Sequence, residues 1–130
     1  MNSRDRVMKV LRHEIPDRVP VWEVLIDAPV VEKVVGVSDV SSWQLEPGKI
    51  IDLHLGLGLD AINLPAPFWK AREMKNKMLR VSELVPPSNA LIDAAIERIE
   101  KVAQLAHQNG LAMAGYNHGC FDIVYESLGF

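Results

Sequence analysis

The sequence predicts an α/β fold in which about three parallel strands are joined by crossover helices. Two observations lead to this prediction. Short apolar, β-branched runs alternate with longer stretches of helical periodicity, and glycine or proline separates most of them. Strands and helices that alternate in this way favour parallel pairing through right-handed connections, and 130 residues provide one domain with a modest core.

The first element is predicted as a helix capped by Asn2 or Ser3. It must end before Pro16, because the proline ring removes a hydrogen-bond donor. Residues 19–26 are apolar and β-branched on both faces, which is typical of a strand buried in a parallel sheet. Residues 28–35 then predict a short helix.

Gly36 is predicted to close that helix. Residues 38–44 are polar and predict irregular structure. A helix is then expected over residues 47–56, because proline is favoured in the first turn of a helix. His54 lies in an apolar stretch of this helix, and we interpret it as a packed histidine.

Residues 60–65 predict a second, short strand. The stretch over residues 66–87 has mixed charge and no clear period, so it predicts either a short strand at residues 78–81 or an excursion over the end of the sheet. Ser88 is expected to cap the clearest helix in the chain, which the Asn-Gly pair at residues 109–110 ends.

Residues 111–116 predict a third strand, residues 117–119 a loop and residues 120–128 another helix. Three strands are too few to close a barrel, which needs eight. The chain also stops at Phe130, just after a helix has begun. We therefore expect a fragment, a split gene product or a truncated version of a longer protein.

Charge and hydropathy argue against several classes of function. The 17 acidic and 14 basic residues are interleaved, for a net charge of −3, so no clustered basic face indicates a nucleic-acid partner. The basic residues of the opening (Arg4, Arg6, Lys9 and Arg12) are interpreted as a solvated helix face. No apolar run reaches the roughly 20 residues that cross a bilayer, and none follows the basic start as in a signal peptide. The single cysteine, Cys120, cannot form an internal disulfide, which favours a cytoplasmic protein.

Four segments carry a resemblance to a known family. They are residues 3–7 (SRDRV), residues 16–20 (PDRVP), residues 58–62 (GLDAI) and residues 115–129 (GYNHGCFDIVYESLG). Over nearly all of its length the chain resembles the N-terminal third of uroporphyrinogen-decarboxylase-like proteins. The resemblance implies that residues 1–130 form the N-terminal part of a TIM-type (β/α) barrel, with the site at the C-terminal ends of the strands.

The resemblance implies one of two chemistries. True decarboxylases of the family bind an acidic porphyrinogen through arginines that follow the first strand, and they use an aspartate after the second. Residues 22–28 contain no arginine, and residues 65–67 (PAP) stand where the aspartate would fall, so a polycarboxylate would lack its cations. The resemblance therefore favours the other branch, corrinoid-dependent methyltransferases, which move a methyl group between a corrinoid protein and a thiol or pterin acceptor.

Two alternatives stay open: a tetrapyrrole decarboxylase, and a non-catalytic half-barrel that assembles with itself or with a partner. An unclosed parallel sheet leaves strand edges and an apolar wall uncovered, so we expect a homo-oligomer or association with a missing half. The other expected partners are a small-molecule substrate or a corrinoid protein. No cofactor is certain from the sequence, and the zinc of the family members that act on coenzyme M would belong to the missing C-terminal part.

Polar side chains near the C-terminal ends of the predicted strands form the candidate site. A polar residue inside an apolar strand is costly unless it is bonded, which favours a functional interpretation, although each could instead bond loop backbone. The predicted catalytic residues are Glu23, Asn63 and His118. The predicted substrate-binding residues are Trp22, Asp27, Asn117 and Tyr125. Trp22 and Tyr125 have the alternative of packing in the core.

His118 and Cys120 have the His-x-Cys spacing found in zinc sites. Two ligands make no site, and the chain has no second cysteine to complete one. We therefore predict no metal site from this pair, which has the alternative of a loop histidine beside a small buried thiol.

Overall fold

The computed structural model describes residues 1–65, 70–71 and 84–116 of the chain. Within these ranges the architecture is α/β, with helices packed against a pair of parallel strands. The elements are α1 (Ser3–Leu11), α2 (Ala28–Val35), a 3₁₀ helix (Ser42–Gln44), α3 (Pro47–Gly56), β1 (Ala61–Pro65), β2 (Lys70–Ala71), β3 (Leu84–Val85), α4 (Asn89–Gln108) and β4 (Ala112–Tyr116). The predicted α/β class is confirmed at this level.

Local sequence signals account for the ends of α1 and α2. The Asn2 Oδ1 accepts a hydrogen bond of 2.7 Å from the Asp5 backbone N–H, which satisfies one of the free donors at the start of α1. Gly36 follows α2 with a φ of 69°, a left-handed conformation that glycine adopts without steric cost. Both predicted signals are confirmed.

The two longer helices also have the predicted bounds. α3 begins at Pro47 and ends at Gly56, as expected from its first-turn proline. The Ser88 Oγ accepts from the Leu91 backbone N–H at 3.3 Å and so caps α4, which is followed by Gly110 at a φ of 68°.

β1 and β4 pair in parallel, with Ala61 opposite Ala112 and Asn63 opposite Ala114, and α4 makes the crossover between them. On its other side, Ala61 forms a single parallel bridge with Trp22. The three segments therefore lie side by side in the order in which they occur in the chain: the segment around Trp22, then β1, then β4. This order is the one that successive right-handed crossovers produce.

The predicted strand over residues 19–26 is wrong in extent, because only the bridge at Trp22 forms. The carbonyl oxygen of Val24 accepts from two side chains: Trp43 Nε1 at 2.8 Å and Asn63 Nδ2 at 2.9 Å. A carbonyl has two lone pairs, so these bonds occupy the acceptor that a strand ladder would use. Side-chain bonds hold this segment beside β1 where a regular ladder was expected.

The predicted excursion after β1 is described only in part. Within it, β2 and β3 form a two-residue antiparallel pair, with Lys70 opposite Val85 and Ala71 opposite Leu84. The alternative of a strand at residues 78–81 lies outside the described residues. So do the loop predicted at residues 117–119 and the helix predicted at residues 120–128.

The core lies between one face of the sheet and helices α2, α3 and α4. Successive residues of a strand point to opposite faces, so Ile62 and Leu64 face these helices, whereas Ala61 and Asn63 lie on the other face. The helices contribute buried apolar residues, which include Val31, Ile50, Leu53, Val102 and Ala106. No helix in the described part of the chain is long and apolar enough to cross a membrane.

Candidate functional site

Asn63 has the most unusual environment among the predicted catalytic residues that the structure describes. Its side chain is 3% exposed, and its Nδ2 donates to the Val24 carbonyl oxygen at 2.9 Å. Because only the amide nitrogen can donate to a carbonyl, this bond also sets the orientation of the side chain. The Asn63 Oδ1 is then a buried acceptor with no hydrogen-bond partner among the described residues. Such an atom costs about 1–3 kcal/mol, which is consistent with a functional role.

Glu23 and Trp22 lie beside the first half of β1. Trp22 pairs with Ala61, the first residue of that strand, so Glu23 is level with the second residue, Ile62, and not with the C-terminal end of the strand. The Trp22 side chain is 46% exposed, and the alternative of a core tryptophan is therefore wrong. Glu23 is exposed as well, so both side chains are accessible from solvent.

Asp27 is positioned by a different element. It precedes α2 as the N-cap residue, and its carbonyl oxygen accepts from the Val30 and Val31 backbone N–H groups at 3.1 Å. Its carboxylate is exposed and makes no capping hydrogen bond. Among the described residues no hydrogen bond joins Asp27 to Glu23 or to Asn63. The contact that the structure does show is between Asn63 and Val24, the residue after Glu23.

The remaining predicted site residues lie outside the described residues: Asn117, His118, Cys120 and Tyr125. Their assignments stay predictions. In the part of the chain that the structure describes, no group of three or more histidine, cysteine, aspartate or glutamate side chains could hold a metal ion.

An open groove lies on the face of the sheet that carries Ala61 and Asn63. Its volume is about 390 Å³, and its lining is mainly apolar. We call it the alanine groove, because its sheet side includes Ala61, Ala112 and Ala114, and its other walls include Val7, Val10 and Leu11 of α1 and residues 20–22. Asn63 does not itself line the groove. It lies two residues after Ala61 and is the register partner of Ala114, and both of these alanines line it.

Sequence reasoning missed a cluster of ion pairs, which we call the Arg–Asp cluster: Arg6, Asp17, Arg18 and Asp60. Arg6 Nε lies 2.6 Å from Asp17 Oδ1, and Arg6 Nη1 lies 2.5 Å from Asp60 Oδ1. Arg18 Nη1 lies 2.6 Å from Asp60 Oδ2. The Val21 backbone N–H also donates to Asp60 Oδ2, at 2.8 Å. The fully buried Asp60 is thus shared by two arginines and a backbone donor.

Both carboxylates of this cluster are held in the charged form. Burial alone would raise the pKa of Asp60, but hydrogen bonds from the Val21 N–H, Ser3 and the two arginines outweigh it and lower that pKa below its ordinary value. The hydrogen bond from Arg6 lowers the pKa of Asp17 well below its usual range. Both carboxylates are therefore ionised at neutral pH.

The position of the Arg–Asp cluster indicates a structural role. Asp60 directly precedes β1, so the cluster lies at the N-terminal edge of the sheet, opposite the edge where parallel strands place functional groups. The interpretation of Arg6 as part of a solvated helix face is wrong, because Arg6 is 7% exposed. The sequence did contain a signal for this cluster. Asp60 directly precedes a buried strand, where a carboxylate needs a cation, and the SRDRV and PDRVP motifs supply Arg6 and Arg18.

Comparisons of the chain with protein-family models, with curated proteins and with solved structures found no match. The functional argument therefore depends on the motifs in the sequence and on how the described residues are arranged.

Proposed function

We propose that the chain is the N-terminal part of a uroporphyrinogen-decarboxylase-like (β/α) barrel and contributes to corrinoid-dependent methyl transfer. In this proposal a methyl group moves from a methyl-corrinoid protein to a thiol or pterin acceptor. Glu23 and Asn63 are the described residues that would take part in the reaction, and Trp22 and Asp27 would contact the substrate.

The observation that carries the proposal is the meeting of three motifs in the Arg–Asp cluster. Arg6 belongs to SRDRV, Asp17 and Arg18 belong to PDRVP, and Asp60 belongs to GLDAI. All three segments resemble the same family. If the three motifs matched the family by chance, their charged residues would not be expected to contact one another. The ion pairs between them therefore support a common origin of this chain and the family.

The strand order is a second support for the barrel. The Trp22 segment, β1 and β4 lie side by side in chain order, and the connection that contains α4 crosses between parallel neighbours. A (β/α) barrel is built from such units.

The charges near the candidate site favour methyl transfer over tetrapyrrole decarboxylation. Glu23 presents an exposed carboxylate beside β1, and Arg18 is paired with Asp60 at the N-terminal edge of the sheet. A polycarboxylate substrate would meet repulsion from the Glu23 carboxylate there. A corrinoid with neutral amide side chains would meet no such penalty.

Two parallel binding titrations test this proposal on the purified full chain. Methylcobalamin and uroporphyrin are titrated separately at equal ionic strength, and quenching of tryptophan fluorescence reports the binding of each. We expect tighter binding of methylcobalamin, and Glu23→Gln is expected to improve uroporphyrin binding only. Preferential binding of uroporphyrin by the unmodified chain would contradict the proposal and favour the decarboxylase.

Assembly is the second candidate function, and the exposed apolar surface favours it. Val10, Leu11, Val21 and Trp22 each have 42% or more of their surface exposed, and all four line the alanine groove. Contiguous apolar surface of this kind commonly marks an interaction site.

A further inference from the structure

The first helix of the chain is attached in an unusual way. The only buried residue of α1 is Arg6, and no residue of α1 belongs to the core cluster of the described residues. Two of its apolar side chains are exposed, Val10 by 42% and Leu11 by 68%. Val7 and Met8 are only partly buried, so α1 buries less apolar surface than amphipathic helices normally do.

Polar contacts hold α1 in place instead. The Arg6 guanidinium donates to both carboxylate oxygens of Asp17, at 2.6 and 2.8 Å, and to Asp60 Oδ1 at 2.5 Å. At the start of the helix, the Arg4 backbone N–H donates to the Gly110 carbonyl oxygen at 2.7 Å. The attachment of α1 thus depends on polar contacts in its first half: the Arg6 guanidinium, the Arg4 backbone N–H and the hydrogen bond from Ser3 to Asp60.

The alanine groove separates the apolar side of α1 from the sheet. Val7, Val10 and Leu11 form one wall, and alanine side chains of β1 and β4 form the opposite one. Alanine is too short to fill the space, so the two walls forgo the dispersion contacts that close packing would supply. Residues 20–22, which contain the exposed Trp22, line the same groove.

We infer that α1 is a lid over the alanine groove, latched by the bond between Arg6 and Asp17, and that it opens separately from the rest of the fold. Regions with few buried apolar contacts open locally at lower free energy than the core. Opening uncovers the alanine wall and Trp22 while the packing of α2, α3 and α4 around β1 stays intact. The inference does not depend on the proposed function, because it concerns access to one face of the sheet and no reaction.

Hydrogen–deuterium exchange of the full chain, followed by mass spectrometry at neutral pH, tests the latch. Asp17→Asn keeps an oxygen that can accept from the Arg18 backbone N–H but removes the charge that pairs with Arg6. We expect several-fold faster exchange in peptides covering Ser3–Leu11, with unchanged exchange in α3 and α4. The matched control is Glu14→Gln, which neutralises an exposed carboxylate with no hydrogen bond or ion pair among the described residues.

Two outcomes would overturn the lid. Faster exchange throughout the chain in Asp17→Asn would make α1 an inseparable part of the cooperative fold. Unchanged exchange in α1 would mean that the Arg6–Asp17 bond is not the latch.

A second variant separates a polar latch from apolar attachment. Val10→Ser removes apolar surface from α1 without touching the Arg–Asp cluster, so we expect little change in α1 exchange. The dye 1-anilinonaphthalene-8-sulfonate provides an independent reading: its fluorescence should rise with Asp17→Asn and stay near the unmodified level with Glu14→Gln. An effect of Val10→Ser larger than that of Asp17→Asn would show that apolar contacts hold the helix, against the inference.

Discussion

His54 lies on α3 with 2% of its surface exposed, and its Nδ1 lies 2.8 Å from the Ile50 carbonyl oxygen. The carbonyl can only accept, so Nδ1 carries the proton and the ring is held in one tautomer. Burial lowers the pKa of His54 below its ordinary value of 6.5 more than the bond to Ile50 raises it. The prediction of a packed histidine is confirmed.

The buried His54 predicts a loss of stability in mild acid. The unfolded chain takes up a proton near the ordinary histidine pKa, whereas the folded chain does not. The contribution of His54 is therefore complete above that pKa and declines as the pH falls below it. We expect the free energy of unfolding in urea to fall between about pH 7 and about pH 5, and His54→Gln to flatten that decline.

The control for this prediction is His107→Gln, since His107 is exposed in the last turn of α4. This substitution shows the effect of replacing a histidine that is not buried. An equal slope in the unmodified chain and in His54→Gln would exclude His54 as its source.

Substitutions of Asn63 can distinguish a role in stability from a role in ligand binding. Asn63→Leu removes the unpaired oxygen, and the Val24 carbonyl keeps its bond from Trp43 Nε1, so we expect the free energy of unfolding to change by about 1 kcal/mol or less. Asn63→Asp buries a carboxylate against that carbonyl and should cost about 3 kcal/mol or more. Urea denaturation measures both.

Ligand binding then completes the test of Asn63. If its oxygen serves the proposed function, Asn63→Leu should lose methylcobalamin binding while staying folded. Equal binding would leave Asn63 with a structural role only, which is to hold the Val24 carbonyl.

At the scale of elements, the Arg–Asp cluster connects α1, the turn that follows it and the start of β1. Asp60 carries most of this connection because two arginines and the Val21 N–H converge on it. Removing one member of a buried ion pair leaves the others uncompensated, which costs more than the pair itself contributes. The cluster therefore makes the N-terminal edge of the sheet sensitive to single substitutions.

Asp60→Asn is expected to lower the free energy of unfolding by about 3 kcal/mol or more. Thermal and urea unfolding of the full chain measure the change. Asp52→Asn is the control, because Asp52 is an exposed carboxylate on α3 with no hydrogen bond or ion pair among the described residues. Equal, small effects of the two substitutions would mean that the cluster adds little to stability.

At the scale of the whole molecule, the sheet has a covered face and an open face. Helices α2, α3 and α4 cover the side of Ile62 and Leu64, whereas the side of Ala61 faces the alanine groove. The exposed apolar side chains that line the groove make self-association the expected behaviour.

Sedimentation velocity of the purified chain should therefore give species heavier than the 14.5 kDa protomer. Trp22→Gln is expected to reduce association, because Trp22 is 46% exposed and lines the groove. Val30→Ser is the control, since Val30 is 41% exposed on α2 and does not line the groove. A compact monomer at all concentrations would contradict the prediction.

The amino-acid sequence by itself determined the four α-helices of the described residues, whereas the 3₁₀ helix over Ser42–Gln44 was expected to be irregular. Their ends depend on residues three or four positions apart, such as Asn2 with Asp5 and Ser88 with Leu91, and on the left-handed conformation of Gly36. Interactions of this range are visible in a linear sequence. β1 and β4, which are the second and third predicted strands, were predictable for a similar reason, because each is a short apolar run next to a clear helix boundary.

Only the tertiary structure decided that residues 19–26 form a single bridge and not a strand, and which contacts surround the candidate site. The Val24 carbonyl is taken by Trp43 and Asn63, which lie 19 and 39 positions away, and so the expected strand is reduced to one bridge. Arg6 is buried because Asp60, 54 positions away, requires a cation. Contacts at such separations depend on how the elements pack. A local pattern can indicate that Asp60 needs a cation, but it does not specify which arginine the packing brings to it.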